Sequence, residues 1–477
     1  MAPDQYDLVI VGMGSAGMAA AELAATLELR VAVIERDRVG GDLWTGSVPT
    51  KALIASARAA HSVRHADRFG IDAAPPTIDL ARVWARARQV QESIAATDDH
   101  PDRYATMGLE IVSGDATLTG PNEVTVADAD GSTARVLQTR FVLVGTGSRA
   151  VVPDVAGLAD IGVLTDETLF ALERPPASVI VIGGGPMGVE LAQAFVRLGI
   201  VTTIVQDGPC LLPRDEQGLV SVLTGVLRSE GVEVLLDARP TAARRDADGT
   251  VVLEIATPAG RSELRAEAVV AATGRRPNVE GLGLEELGID VRSGPGGGVV
   301  VDERARTTFR SVYAVGDVTD GERFAHAAGH AAVRAVRDMF FPGRASVADL
   351  VPWCTFTDPE LAHAGLTADE AEARFGEDVD VWRVDLRHND RARADEATEG
   401  AIVVVTAKER IVGAHVLAPS AGELIHELTL AIQQGLKLNE IASLVHVYPT
   451  MATSVGMLAA ESAQEKAQRY RWLVRRR

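Results

Sequence analysis

The residues best suited to chemistry in this chain are glycines, one lysine and a few acids, and their spacing points to nucleotides. Gly12, Gly14 and Gly17 follow an apolar run at 6–11 and precede a small-residue stretch at 18–27. With a strand before and a helix after, this G-x-G-x-x-G spacing is a dinucleotide fingerprint. The first glycine permits the turn, the second admits a pyrophosphate, and the third lets helix and strand pack closely. The phosphates then meet the unpaired N–H groups of a helix N-terminus. Glu35 closes the next apolar run, 30–34, where a carboxylate accepts hydrogen bonds from adenosine ribose hydroxyls. The pattern returns at Gly183, Gly185 and Gly188, with a strand at 202–205 leading to Gln206. Two fingerprints so far apart imply two dinucleotides rather than a repeat array.

Other candidates are sparser. Lys51 is one of four lysines, with Lys408, Lys437 and Lys466, among 47 basic residues, and it precedes an apolar helical stretch at 52–60. Taken alone it reads as a solvated helix start. His326 and His330 share a helix face but lack a third ligand, so a structural role is expected. The only two cysteines, Cys210 and Cys354, are too few and too far apart for a disulfide framework or a metal site. No G-x-S-x-G elbow accompanies any serine.

The elements that must position these residues follow from length and pattern. At 477 residues the chain is expected to form three domains, taking ~150 residues for each. Hydrophobic and charged contents of 47% and 24% describe an ordinary soluble globular protein. The early apolar run at 8–25 is broken by glycines and carries Glu22. It reads as strand–turn–helix rather than as a signal peptide or membrane span, and a cytoplasmic location is expected. A net charge of −19 argues against nucleic-acid or anionic-membrane binding. The basic, aromatic tail at 469–477 is expected to be a solvated terminus.

Residues 77–107 read as a long helix and its exit, with Leu80, Val83, Trp84, Ala87 and Val90 at helical spacing. Short β runs follow at 110–112 and 123–126, with a turn at Asp130 and Gly131. A strand at 141–144 ends in Thr146 and Gly147, and another at 268–272 leads to Gly274. A further apolar run ends at Gly316 and Asp317, before a helix at 324–336. Beyond 350, strands (401–406, 411–417) alternate with helices (423–434, 438–444). The fold class expected is α/β, with two doubly wound dinucleotide-binding domains and a C-terminal α+β domain.

Against this background the stretch from Gly40 to Lys51, GGDLWTGSVPTK, resembles the redox segment of the pyridine nucleotide–disulfide oxidoreductases. That family includes lipoamide dehydrogenase, glutathione reductase and mercuric reductase. There the segment reads GG-x-C-x4-C-x-P-x-K, and its cysteines form the redox disulfide under a flavin. Here Ser47 holds the second cysteine's place, while the segment is one residue short and lacks the first cysteine. The resemblance covers essentially the whole chain. It implies FAD on residues 1–152 and 278–348, NAD(P)H on 153–277, and a homodimer formed through a dimerisation domain at 349–477. Within the flavin site it implies roles for Gly41, Thr146 and Gly147, for Gly316 and Asp317 at the ribityl chain, and for Ala327 at a helix start facing the flavin's N1/O2 edge. Gly274 ends the nicotinamide domain.

The resemblance also pairs Lys51, beneath the flavin's N5, with Glu190, two residues after Gly188. The family's acid–base His and Glu are replaced by Tyr448 and Thr453, and its tyrosine gate over the nicotinamide face by Pro186. Gln206 is neither the Glu of NAD-specific relatives nor an Arg of NADPH-specific ones, which leans the preference to NADH. A serine hydroxyl cannot replace a thiolate near neutral pH. The function expected is therefore NAD(P)H oxidation, with electrons passing from reduced flavin directly to a non-disulfide acceptor such as a quinone. Trp44 and Ser47 would contact that acceptor, with Tyr448 supplied by the partner subunit. Soluble transhydrogenation is the enzymatic alternative. A non-catalytic flavin or nicotinamide sensor or partner protein is the other.

Overall fold

Runs of Val, Ile and Leu buried on both faces make strands that prefer the middle of a parallel sheet. The computed structural model describes residues 4–128, 134–294, 296–343 and 350–469, so Asp130, Gly131 and the tail beyond Arg469 lie outside the described residues. In the first sheet Gln5–Val11 runs parallel to Val31–Glu35 on one side and to Ala134–Val144 on the other. Glu110–Ser113 extends one flank and Val312–Ala314 the other, so the chain returns to its first sheet after a long excursion. Helices Ser15–Thr26 and Ala325–Phe340 pack through Ala16, Ala20 and Ala24 against Ala328, Ala332 and Ala335. These small side chains let the two helices pack closely together.

The excursion builds a second parallel sheet from Glu233–Leu235, Val201–Val205, Ser178–Ile182 and Ala268–Ala271. A three-stranded antiparallel sheet, Arg239–Arg245, Val251–Thr257 and Gly260–Ala266, accompanies it. The C-terminal sheet is antiparallel, with Trp353–Thr355 and Val379–Asp385 at its edges. The architecture is α/β with two dinucleotide-binding units and an α+β C-terminal part.

Two helices differ from the sequence reading for stated reasons. Helix Ser47–Arg64 begins five residues before the expected 52, because Pro49 suits a first turn and Gly46, at φ 75°, turns the chain into it. Lys51 therefore sits in the second turn rather than ahead of the helix. The stretch 77–107 divides into Leu80–Ala95, capped by Asp79, and Pro101–Thr106, because Pro101 can only start a new helix. At the C-terminal end, helix Leu438–Ile441 is shorter than the expected 438–444.

One polar seam fixes how the three parts meet. Helix Pro186–Arg197 presents Glu190, Gln193 and Arg197 on one face, and all three are buried. Gln193 both accepts from the Asp358 N–H and donates to the Asp358 carbonyl, each at 2.8 Å. Arg197 donates to both Glu230 oxygens (2.7 and 2.6 Å) and to the Asp358 carboxylate (2.7 Å). A buried cation held on both sides leaves its partners stranded when it is removed. Arg197→Ala is expected to cost about 3 kcal/mol, read as a lower midpoint in denaturant. A change within about 0.5 kcal/mol, the usual range for surface substitutions, would mean that solvent already screens the seam.

Candidate active site

Where the first fingerprint, the 40–51 segment and the returning strand converge, the chain encloses a continuous cleft of about 1630 Å³. Gly12, Gly14, Glu35 and Gly41 line it, as do Thr146, Gly147, Gly316 and Asp317. A Cβ on Gly41 would fall 2.8 Å from the Cα of Gly14, so fingerprint and redox segment touch backbone to backbone. Gly17 lies behind them, closing the helix onto the strand. Glu35 Oε2 accepts from the Met13 N–H at 2.7 Å, which fixes the carboxylate beside the glycine turn. Asp317 accepts from the Ser148 hydroxyl at 2.6 Å. Helix Ala325–Phe340 has no side-chain cap, and Ala325, His326 and Ala328 face the cleft. Ala327 is half-buried in the same turn, outside the lining residues. His326 is held by the Pro352 carbonyl at 2.8 Å.

Packing of helix Ser47–Arg64 against Leu80–Ala95 and Pro186–Arg197 sets the cleft's charged floor. Leu53 and Ala57 join Val189, Ala192 and Trp84 in one apolar cluster. That contact delivers Lys51 Nζ to within 2.9 Å of Glu190 Oε2. Glu190 Oε1 accepts from the Phe356 N–H at 2.8 Å, and the Phe356 ring lies under Lys51 Nζ at 4.4 Å. The buried carboxylate thus has a partner for each oxygen, and the lysine has both a counter-ion and an aromatic face.

The 40–51 segment holds hydroxyl and carboxyl groups. The Ser47 hydroxyl donates to Asp42 Oδ2 at 2.7 Å. Burial pushes the Asp42 carboxyl above its usual range and Asp317 adds to the rise, while Ser47, Arg275 and Lys51 oppose it. Trp44 donates to the Val39 carbonyl at 2.7 Å, and the Arg38 guanidinium covers its ring. Arg275 donates to both the hydroxyl and carbonyl of Ser148 and pairs with buried Asp166. Cys210 and Cys354 are free thiols, and Cys354 lines the cleft. Burial, then Glu360 and Glu190, hold the Cys354 thiol far above its ordinary pKa, so it stays protonated.

Other expected residues gather elsewhere. Gly183, Gly185, Gly188 and Gly274 lie at the end of the second sheet, where Gln206 Oε1 accepts from the Gly184 N–H at 2.7 Å. This matches in geometry the Glu35 bond to Met13, with an amide in place of a carboxylate. Pro186 starts its helix at the cleft's edge. Tyr448 is not a lining residue: it is 70% exposed, and its hydroxyl donates to Asp390 at 3.0 Å. His446 is held by Glu427 at 3.1 Å, and Thr453 accepts from Asn389 at 3.1 Å.

Sequence reasoning missed Asp42, Asp166, Arg275 and Phe356 as site residues. Asp42 occupies a variable place inside a motif, and Phe356 acts through its backbone N–H, which no residue type announces. Arg275 was visible as the neighbour of Gly274. The glycine cradle, the ribose-facing Glu35 and the uncapped helix start fit FAD.

Residues 6–332 match the pyridine nucleotide-disulphide oxidoreductase family, and residues 351–459 match its dimerisation domain. A mercuric reductase of Streptomyces lividans is 35% identical over 462 residues, covering 95% of each chain. A dihydrolipoyl dehydrogenase of Geobacillus stearothermophilus is 32% identical over 465 residues, covering 96% of each. Among solved structures, LpdA of Mycobacterium tuberculosis superposes with a TM-score of 0.86 at 27% identity, covering 95% of this chain and 99% of that one. The HOCl-induced flavoprotein disulfide reductase RclA of Escherichia coli gives 0.82 at 26%, with the same coverage.

A cation held near a ring that gains electrons lowers the barrier to hydride arrival. Lys51→Met is therefore expected to slow flavin reduction by NAD(P)H by about tenfold or more while FAD remains bound, with Glu190→Gln milder in the same direction. Stopped-flow absorbance checks both. An unchanged rate in Lys51→Met would make the pair purely structural.

Proposed function

The chain belongs to the pyridine nucleotide-disulphide oxidoreductases, a family using FAD and NAD(P)H, and from that premise we propose that it passes electrons from reduced flavin straight to a non-disulfide acceptor, a quinone or similarly flat electrophile. One observation carries this reading. The segment keeps the Lys51–Glu190 pair, yet Ser47 stands where the resemblance puts the second cysteine, and no cysteine lies anywhere in 40–51. Removal from solvent, then Glu360 and Glu190, hold the thiol of Cys354, which lines the cleft, above its ordinary pKa. FAD, when bound, supplies two-electron storage between donor and acceptor. Lys51 holds positive charge at the cleft floor, buried Glu190 anchors it there, and the helix start at Ala325 offers N–H groups to developing negative charge.

On this reading the acceptor docks on the face formed by Trp44 and Ser47, which lacks the ionised thiol that would make it inhospitable to a flat apolar molecule. Tyr448 completes that face from the partner subunit of a homodimer. Supporting this, the dimerisation domain exposes Leu444, Val445, Val447 and Tyr448 side by side. Among the described residues no helix is long and apolar enough to cross a membrane; the cytoplasm is the proposed location. Transhydrogenation is the second reading, favoured by Pro186 at the cleft's edge in place of a bulky gate.

Anaerobic titration tests the proposal. About one equivalent of NAD(P)H per FAD is expected to reach fully reduced flavin, with no turnover on lipoamide or glutathione disulfide. An endpoint needing twice that amount, or turnover on either disulfide, would overturn it.

A further inference from the structure

Resting on the acceptor reading above, we propose that Asp42, acting through the Ser47 hydroxyl, is the proton donor to the acceptor on this face of the cleft. A quinone that takes up a hydride equivalent still needs one more proton to become a hydroquinone. Lys51 is paired with Glu190, Tyr448 donates to Asp390, and the Cys354 thiol is turned to the Thr355 carbonyl and the Glu360 carboxylate. On the wall formed by 40–51, Asp42 is the one acid.

Asp42 is held there firmly. It lies in the tight turn Gly41–Leu43, whose exit is clamped by Gln91 donating to the Leu43 and Trp44 carbonyls at 2.9 and 3.1 Å. Its side chain reaches the first residue of helix Ser47–Arg64. The charged groups around it are Lys51, Arg275, Asp317 and Asp166. Both cations already have closer carboxylates: Lys51 has Glu190, and Arg275 has Asp166. A Cβ on Gly46 would lie 3.6 Å from Asp42 Oδ1 and 3.7 Å from Asp166 Oδ2, so the two acids flank the same glycine. Asp166 is 1% exposed and its Oδ1 has no hydrogen-bond partner. Removal from solvent and the nearby Asp317 carboxylate favour the neutral form of Asp42, while the Ser47 hydrogen bond, Arg275 and Lys51 favour the ionised one, so both forms are within reach.

The Ser47 bond makes that proton deliverable. While Asp42 is ionised, the serine O–H donates to Asp42 Oδ2. Once Asp42 is protonated the bond reverses: the acid O–H donates to Ser47 Oγ, and the serine proton turns to the cleft. The balance is complete. NAD(P)H supplies the hydride, one acceptor oxygen takes the Ser47 proton, Ser47 regains its proton from Asp42, and Asp42 regains one from water.

The test compares re-oxidation of NADH-reduced holoenzyme by naphthoquinone, which needs protons, and by ferricyanide, which does not. The naphthoquinone-to-ferricyanide rate ratio is expected to fall about a hundredfold in Asp42→Asn, the usual scale for a lost general acid. Ser47→Ala should lower it too, and Asp42→Glu should restore part of it. The wild type should show a solvent deuterium isotope effect on the naphthoquinone step that Asp42→Asn loses. In the oxidised holoenzyme, a pH-dependent shift of the flavin absorbance should also disappear in Asp42→Asn. An unchanged ratio and isotope effect in Asp42→Asn and Ser47→Ala, with wild-type turnover on naphthoquinone, overturns the assignment and leaves the acceptor reading standing. If the reduced wild type reacts with ferricyanide but not naphthoquinone, the acceptor reading falls and takes the proton donor with it.

Discussion

The charge on Glu190 is the constraint from which the rest of the site follows. A buried carboxylate is tolerable only when its oxygens are satisfied, and here each satisfying group comes from a different part of the chain. Lys51 comes from the helix after the redox segment, and the Phe356 N–H from the first strand region of the C-terminal part. The neighbouring groups Gln193 and Arg197 extend the same grip onto Asp358. The Lys51–Glu190 pair thus belongs to the same network that holds the three parts in register.

The cleft's two sides differ in chemistry. The floor carries an ion pair with an aromatic neighbour, a fixed charge suited to steering electrons. The wall formed by 40–51 carries a hydroxyl, an indole and a half-buried acid. A thiolate pair stores electrons; a serine and an aspartic acid store none.

Much of this was legible in residue order. The two glycine fingerprints and Glu35 depend on spacing, and spacing survives translation into three dimensions; the Lys51–Glu190 pairing came from the family resemblance, and the two side chains do meet. Helix Ser47–Arg64 began earlier than its apolar pattern suggested, because its first turn is set by Gly46 and Pro49 rather than by hydrophobic period. Asp42 and Asp166 come together only through folding, across residues remote in the chain, and no local pattern marks them. The Phe356 contact is made by backbone, and residue type says nothing about it. Tyr448 remains away from the cleft within one chain, since its expected place depends on a second subunit.

The central claim is that electrons leave this enzyme without passing through sulfur. It is tested most directly by removing all sulfur that could carry them, in the Cys210→Ser, Cys354→Ser double variant of the FAD-loaded protein. Steady-state NAD(P)H oxidation with naphthoquinone is predicted to match the wild type. Loss of that turnover with FAD still bound would contradict the account and return a thiol to the electron path.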